Sequence, residues 1–175
     1  GFDALVLDMQ HGMAIGPDRA AQWFQVVSTT DTVPMVRIPW NEPEYFQWVL
    51  DAGAYGVITP LVNNEEQAVK AGRACRYPPI GFRSIGPNRV NLYAGADYFE
   101  HANDEIICLV MVENIETIPH LNEMAKAPGI DGFYIGPADL AISMGVSPTG
   151  YLKSQEHHEA SLRVLECAKA HNLIA

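Results

Sequence analysis

No run of apolar residues in this sequence approaches the roughly 20 that a helix needs to cross a bilayer, so no membrane partner is expected. Cysteine is scarce. Cys75, Cys108 and Cys167 form an odd, widely separated set without a C-x-x-C pair, which argues against a disulfide framework or a cysteine zinc site. A reducing, cytoplasmic setting is the expectation. Basic charge is also short: 11 Lys+Arg stand against 21 Asp+Glu in 175 residues, a net charge of −10. Nucleic acid and anionic membranes both require clustered Lys/Arg, so neither is expected as a partner. Low-complexity tracts, heptad arrays and linkers are missing as well. The chain opens at Gly1 with neither Met nor a signal-peptide pattern, and it closes on Asn172-Leu173-Ile174-Ala175, which reads as the start of another strand. We therefore expect a segment of a longer polypeptide.

What the sequence does contain is 48% hydrophobic residues, enough for one domain over residues 1–175. Short apolar runs alternate with amphipathic helices. The runs are Phe2 to Leu7, Val33 to Ile38, Gly56 to Thr59, Ile106 to Val112 and Gly132 to Ile135. Pro17 opens a helix with Ala20, Trp23, Phe24 and Val27 on one face, and Asn41 is expected to cap a helix carrying Phe46, Val49 and Leu50. Asn64-x-x-Gln67 resembles a capping box for a helix running to Arg76. A loop-rich insertion spans Pro78 to Glu105, a helix is expected from Ile118 to Ala127, and a last helix buries Ala160, Val164, Cys167, Ala168 and His171. Runs that are apolar on both faces, separated by crossover helices, suit parallel strands. Strand ends recur every 22 to 26 residues, save from Thr59 to Glu113, where the insertion makes the gap about two such units, and this fits a (β/α)₈ barrel or a doubly wound sheet. With five strands and the start of a sixth, a barrel would be incomplete, because a closed one needs eight.

Each run ends in a residue with chemistry to offer: Asp8 and His11, Arg37, Thr59-Pro60, Glu113, Asp139. In parallel α/β folds the carboxyl ends of strands line the site. Glu113 and Asp139 are the best pair for Mg²⁺ or Mn²⁺, whose shells waters and substrate oxygens can complete; both could instead be helix caps. His11, with an ordinary pKa of about 6.5, is the candidate general base, or else a capping histidine. Arg37 inside an apolar strand needs a partner. That partner is a substrate oxyanion on the functional reading and Asp8 or Asp51 on the structural one. His157-His158 reads as surface. Lys70 and Lys126 sit on helices, which disfavours a Schiff-base lysine.

Asp8-Met-Gln-His11-Gly12, Val36-Arg37-Ile-Pro-Trp-Asn41, Asp51-Ala-Gly-Ala54, Arg76-Tyr-Pro-Pro-Ile-Gly-Phe-Arg83-Ser84, Gly86-Pro87-x-Arg89, Val112-Glu113 and Gly129-Ile-Asp-Gly-Phe-Tyr-Ile-Gly136-Pro137-Ala138-Asp139-Leu140 occur in one order. Together they resemble the HpcH/HpaI aldolase family, the metal-dependent (class II) pyruvate aldolases that cleave 4-hydroxy-2-oxo acids. The resemblance implies a TIM (β/α)₈ barrel of the phosphoenolpyruvate/pyruvate superfamily, incomplete here at five to six βα units. The first strand and the last one or two would be absent. It also implies a homo-oligomer, a hexamer in the family. It puts the catalytic base at His11, its basicity-raising partner at Asp51 and a transition-state-stabilising cation at Arg37. A divalent ion (Mg²⁺, Mn²⁺ or Co²⁺) would rest on Glu113 and Asp139, with backbone amides near Ala138 and Asp139 holding the substrate carboxylate. Met111 takes the substrate-side position where a member of that family carries Gln.

The implied reaction is reversible cleavage of a 4-hydroxy-2-oxo acid to pyruvate and an aldehyde, with metal and Arg37 stabilising the enolate and His11 taking the C4 hydroxyl proton. A relative acting on a CoA thioester, or decarboxylating oxaloacetate, would use the same enolate chemistry. A truncated chain kept as an interaction module is the reading from a different class.

Overall fold

The computed structural model describes residues 1–12, 16–86 and 89–175; Pro87 of the Gly86-Pro87-x-Arg89 motif lies outside them. Five parallel strands form one sheet: β1 (Ala4–Asp8), β2 (Val33–Arg37), β3 (Gly56–Thr59), β4 (Ile107–Val112) and β5 (Gly132–Ile135). Their spatial order is their chain order, and each neighbouring pair is parallel. This order separates the two architectures left open by the sequence. A doubly wound sheet reverses direction at a switch point, whereas a barrel adds each strand to the same side of the last. The sheet is therefore an arc of a (β/α) barrel, left open. The start of a sixth strand is present: Ile174 bridges Gly132 in parallel, its amide donating to the Asp131 carbonyl and its own carbonyl accepting from Phe133.

Helices pack on one side of the arc. They are α1 (Pro17–Val27), α2 (Pro43–Ala52), α3 (Glu65–Cys75), the short α4 (Asn91–Ala94), α5 (Tyr98–Glu105), α6 (Leu121–Met124), α7 (Pro137–Ser143) and α8 (Gln155–Ala170). Strand residues of one parity, Val36, Val57, Cys108, Val110, Val112 and Phe133, join the helices in the main core. Residues of the other parity, Met35, Ile58, Ile107, Leu109 and Met111, form a separate small cluster on the concave face. Strand register carries this parity to the strand ends, and so decides which polar residues open into the mouth.

Several local expectations are corrected. Glu42, not Asn41, precedes α2 as its cap; the Asn41 amide instead donates to the Gln67 carbonyl, tying the β2–α2 loop to α3. Asn64 does cap α3, accepting from the Gln67 amide, but Gln67 returns its bond to Asn63 rather than to Asn64. The expected helix over residues 118–127 is a 3₁₀ turn (Ile115–His120) followed by α6, because Pro119 offers no N–H for a continuous α-helix. The 78–105 insertion holds two helices, α4 and α5. His157 is 5% exposed and belongs to the interior face of α8, not to the surface.

The insertion is fastened by Arg83, which lies fully buried between the rings of Tyr77 and Tyr98, 4.5 and 5.5 Å from their centroids. Its Nη1 donates to the Tyr98 hydroxyl and its Nη2 to Asp51 Oδ1, each at 2.9 Å. Gln47 donates to the other Asp51 oxygen and exchanges bonds with Ser84. A buried guanidinium deprived of its carboxylate costs about 3 kcal/mol. Asp51→Ala should therefore lower the unfolding free energy by about that much, read from urea denaturation. An unchanged midpoint would show that the pair contributes nothing.

Candidate active site

The site begins with two register partners. Asp8 ends β1 opposite Arg37 at the end of β2. Arg37 Nε donates to Asp8 Oδ1 at 2.9 Å and Nη2 to Oδ2 at 2.5 Å, a two-point clasp that fixes the guanidinium plane. Asp8 Oδ1 also accepts the backbone amides of Gln10 and His11, at 3.0 and 3.2 Å, so the same carboxylate shapes the turn that carries His11. Asp8 is thus the structural partner of Arg37. The guanidinium holds the Asp8 carboxyl below the usual carboxylate range despite partial burial, and Asp8 in turn raises Arg37. Arg37 Nη1 makes no hydrogen bond among the described residues.

Across the concave face, Glu113 follows β4. It is 4% exposed, and its Oε1 accepts the Leu61 amide at 2.6 Å. Leu61 adopts φ 56°, a left-handed conformation that costs a non-glycine residue about 1 kcal/mol and that turns its N–H toward the carboxylate. Gly136 makes the opposite wall. A Cβ there would lie 2.8 Å from Glu113 Cβ, 3.0 Å from Glu113 Oε2 and 3.0 Å from Met111 Cε, so the cradle exists because residue 136 lacks a side chain. Burial pushes the Glu113 carboxyl up; the Leu61 amide opposes this, Asp139 adds to it, and Arg37 and His11 oppose it.

His11, Arg37 and Asp139 thus each act electrostatically on the Glu113 carboxyl. His11 is exposed, and its imidazole has no hydrogen-bond partner among the described residues. Asp139 is exposed in the first turn of α7, after Ala138. Met111 is buried one inward-facing position before Glu113. Tyr134, opposite Met111 on β5, also raises Arg37; no chemical signal in the sequence had singled it out, although parity along β5 points it inward. Asp51 is not brought in. The helix α2 returns antiparallel to the strands, so its last turn lies at their amino ends, while His11 follows the carboxyl end of β1. The expected pairing of Asp51 with His11 does not occur within this chain, because Arg83 holds that carboxylate.

The described residues contain no cluster of three or more His, Cys, Asp and Glu able to hold a metal. Two carboxylates remain, and oxygen-only donors with open positions suit a hard divalent ion that keeps water or substrate in its shell. Glu113 fits such an ion. It is a buried acid, and its proton affinity is raised by desolvation and by the like charge of Asp139, both of which a cation would relieve.

The sequence model of the HpcH/HpaI aldolase/citrate lyase family matches residues 1–175. A hydroxypyruvate/pyruvate aldolase from Rhizorhabdus wittichii is 37% identical over 169 residues, covering 97% of this chain and 67% of its own. A 4-hydroxy-2-oxo-heptane-1,7-dioate aldolase from Klebsiella pneumoniae is 38% identical over 153 residues, covering 83% and 56%. The crystal structure of an HpcH/HpaI aldolase/citrate lyase family protein from Burkholderia cenocepacia superimposes with a TM-score of 0.88 at 29% identity, covering 99% of this chain and 69% of that one. The chain spans about two thirds or less of the length of the curated relatives it matches.

The clasp has a pH signature. A carboxyl whose folded-state pKa is lowered contributes stability above its ordinary value of 3.8 and loses it as pH falls through the folded value. Asp8→Asn should therefore be less stable than the parent at neutral pH, and the gap should close as both are taken below about pH 3. Urea denaturation across that range measures it, and a gap that does not change with pH would contradict the assignment.

Proposed function

The chain belongs to the HpcH/HpaI aldolase/citrate lyase family, and from that premise we propose that the protein is a divalent-metal-dependent carbon–carbon lyase that reversibly cleaves a 4-hydroxy-2-oxo acid to pyruvate and an aldehyde. The observation that supports this reading is a carboxylate, Glu113, buried against the Leu61 amide and Gly136 at the same end of the sheet where Asp8 clasps Arg37. Glu113 and Asp139 would hold Mg²⁺, Mn²⁺ or Co²⁺. When bound, the ion supplies a Lewis acid for the negative charge that gathers on the 2-oxo acid.

The chain's own residues divide the remaining work. Backbone amides of Ala138 and Asp139 would receive the substrate carboxylate at the start of α7. Arg37, held by Asp8 through Nε and Nη2, keeps Nη1 for the oxygen that becomes anionic, so the cation needs no reorganisation as charge develops. His11 would take the proton of the C4 hydroxyl. The C3–C4 bond then breaks, its electron pair passes into the enolate of pyruvate, and the aldehyde leaves. Met111 gives the floor of the site an apolar thioether. The same reading includes a homo-oligomer, supported by the exposed Trp48, Phe82 and Ile85 around α2 and the loop facing it.

Steady-state cleavage assays with Mn²⁺ calorimetry on the intact protein test the division. Glu113→Gln should lose both metal binding and cleavage. Arg37→Lys keeps the charge but loses the planar fork, and should slow cleavage while sparing the metal. His11→Ala should bind Mn²⁺ like the parent and cleave about 10²- to 10⁴-fold more slowly. A His11→Ala protein that cleaves at the parent rate, or cannot hold metal, would overturn the assignment.

A further inference from the structure

The helix α7 is seven residues long, well below the roughly 12 that a free-standing helix needs, so neighbours must set the direction of its first turn. That turn carries Asp139. Its entry is fixed where the Gly136 amide donates to the Val112 carbonyl at 3.0 Å. Its far end is fixed where Ser143 Oγ donates to the Leu140 carbonyl and accepts the Ile115 amide. Between these points one side chain reaches the turn. His157 Nε2 lies 2.9 Å from the Pro137 carbonyl oxygen, and a carbonyl can only accept, so Nε2 carries the proton. Among the described residues, no other side chain hydrogen-bonds Gly136, Pro137, Ala138 or Asp139.

His157 is itself held firmly. Its backbone amide donates to Ser154 Oγ, the residue that caps α8, and its ring lies 4.9 Å from that of Tyr151. It falls in step with Ala160, Val164 and Cys167 on the buried face of α8, where an aliphatic residue would satisfy packing. A histidine there supplies a donor that packing does not require. Glu113 is anchored by Leu61 and Gly136. The two supports meet at Gly136, the cap of α7, and beyond it a roll of the α7 turn would move Asp139 relative to Glu113.

We propose that His157 is a positioning residue that clamps the Pro137 carbonyl and so keeps Asp139 in register with Glu113 for a divalent cation. This rests on the two-carboxylate reading above. Outer-shell hydrogen bonds of this kind govern metal affinity by about 10-fold or more. The test is Mn²⁺ calorimetry on the intact protein, beside thermal unfolding without metal. His157→Phe keeps the ring against Tyr151 but has no donor, and should bind Mn²⁺ about 10-fold more weakly. His157→Gln places an N–H the same number of bonds from Cα and should restore affinity to within about 3-fold, a rescue that a packing role would not give. Should His157→Phe fail to fold, His157→Asn decides, because its shorter amide cannot reach Pro137 and should show the same weakening.

Parent-like Mn²⁺ affinity in the donor-free variant, or equal loss in His157→Gln, would overturn the proposal. Asp139→Asn separates the two levels. If it loses Mn²⁺ while His157→Phe keeps it, only the positioning role fails. If it binds Mn²⁺ like the parent, the two-carboxylate reading fails and takes the positioning role with it.

Discussion

A carboxylate buried at the end of β4 constrains everything around it. Glu113 can occupy its place only if residue 136 has no side chain, and it can remain there only with a donor turned toward it, which Leu61 provides from a left-handed backbone. Both features are local costs. Burial raises the proton affinity of the acid, and a non-glycine left-handed residue forfeits about 1 kcal/mol. Strain and desolvation gathered at one point are typical of a functional site, because neither would persist for packing alone.

The opposite side of the mouth follows a different logic. Arg37 ends β2 half-buried, where an unpaired charge would be costly, and the register of β1 against β2 delivers Asp8 directly beside it. One carboxylate therefore orients the guanidinium and shapes the turn that presents His11. The site is held by two clamps that share no residue, Asp8–Arg37 on the first two strands and Leu61–Glu113–Gly136 on the next three. The concave floor between them is apolar, with Ile58, Leu109 and Met111 beneath the polar rim.

Much of this was legible before any coordinates. Buried parallel strands read as unbroken apolar runs, so their polar terminators stand out, and that places Arg37, Glu113 and Asp139 at or after strand ends. The barrel itself was not separable from a doubly wound sheet by periodicity, because strand order is a long-range property. The place of Asp51 was not legible, since the motif around it says nothing about helix direction; α2 runs back toward the strand amino ends, where Arg83 of the same chain holds that carboxylate. The Leu61 donor is a backbone amide, invisible in side-chain chemistry. The burial of His157 has a sequence signal, for it lies in phase with the Ala160, Val164 and Cys167 stripe. The paired 3₁₀ and α turns after β4 followed from Pro119, which periodicity alone had absorbed into one helix.

The central claim is that Glu113 and Asp139 share one divalent cation at the carboxyl end of the sheet. Anomalous diffraction from crystals of the intact protein soaked in Mn²⁺ addresses it directly. A single anomalous peak ligated by both carboxylates is expected, reduced to background in Glu113→Gln crystals soaked alike. A peak elsewhere in the mouth that leaves either carboxylate unligated, or one that survives the Glu113 substitution at full height, would contradict it.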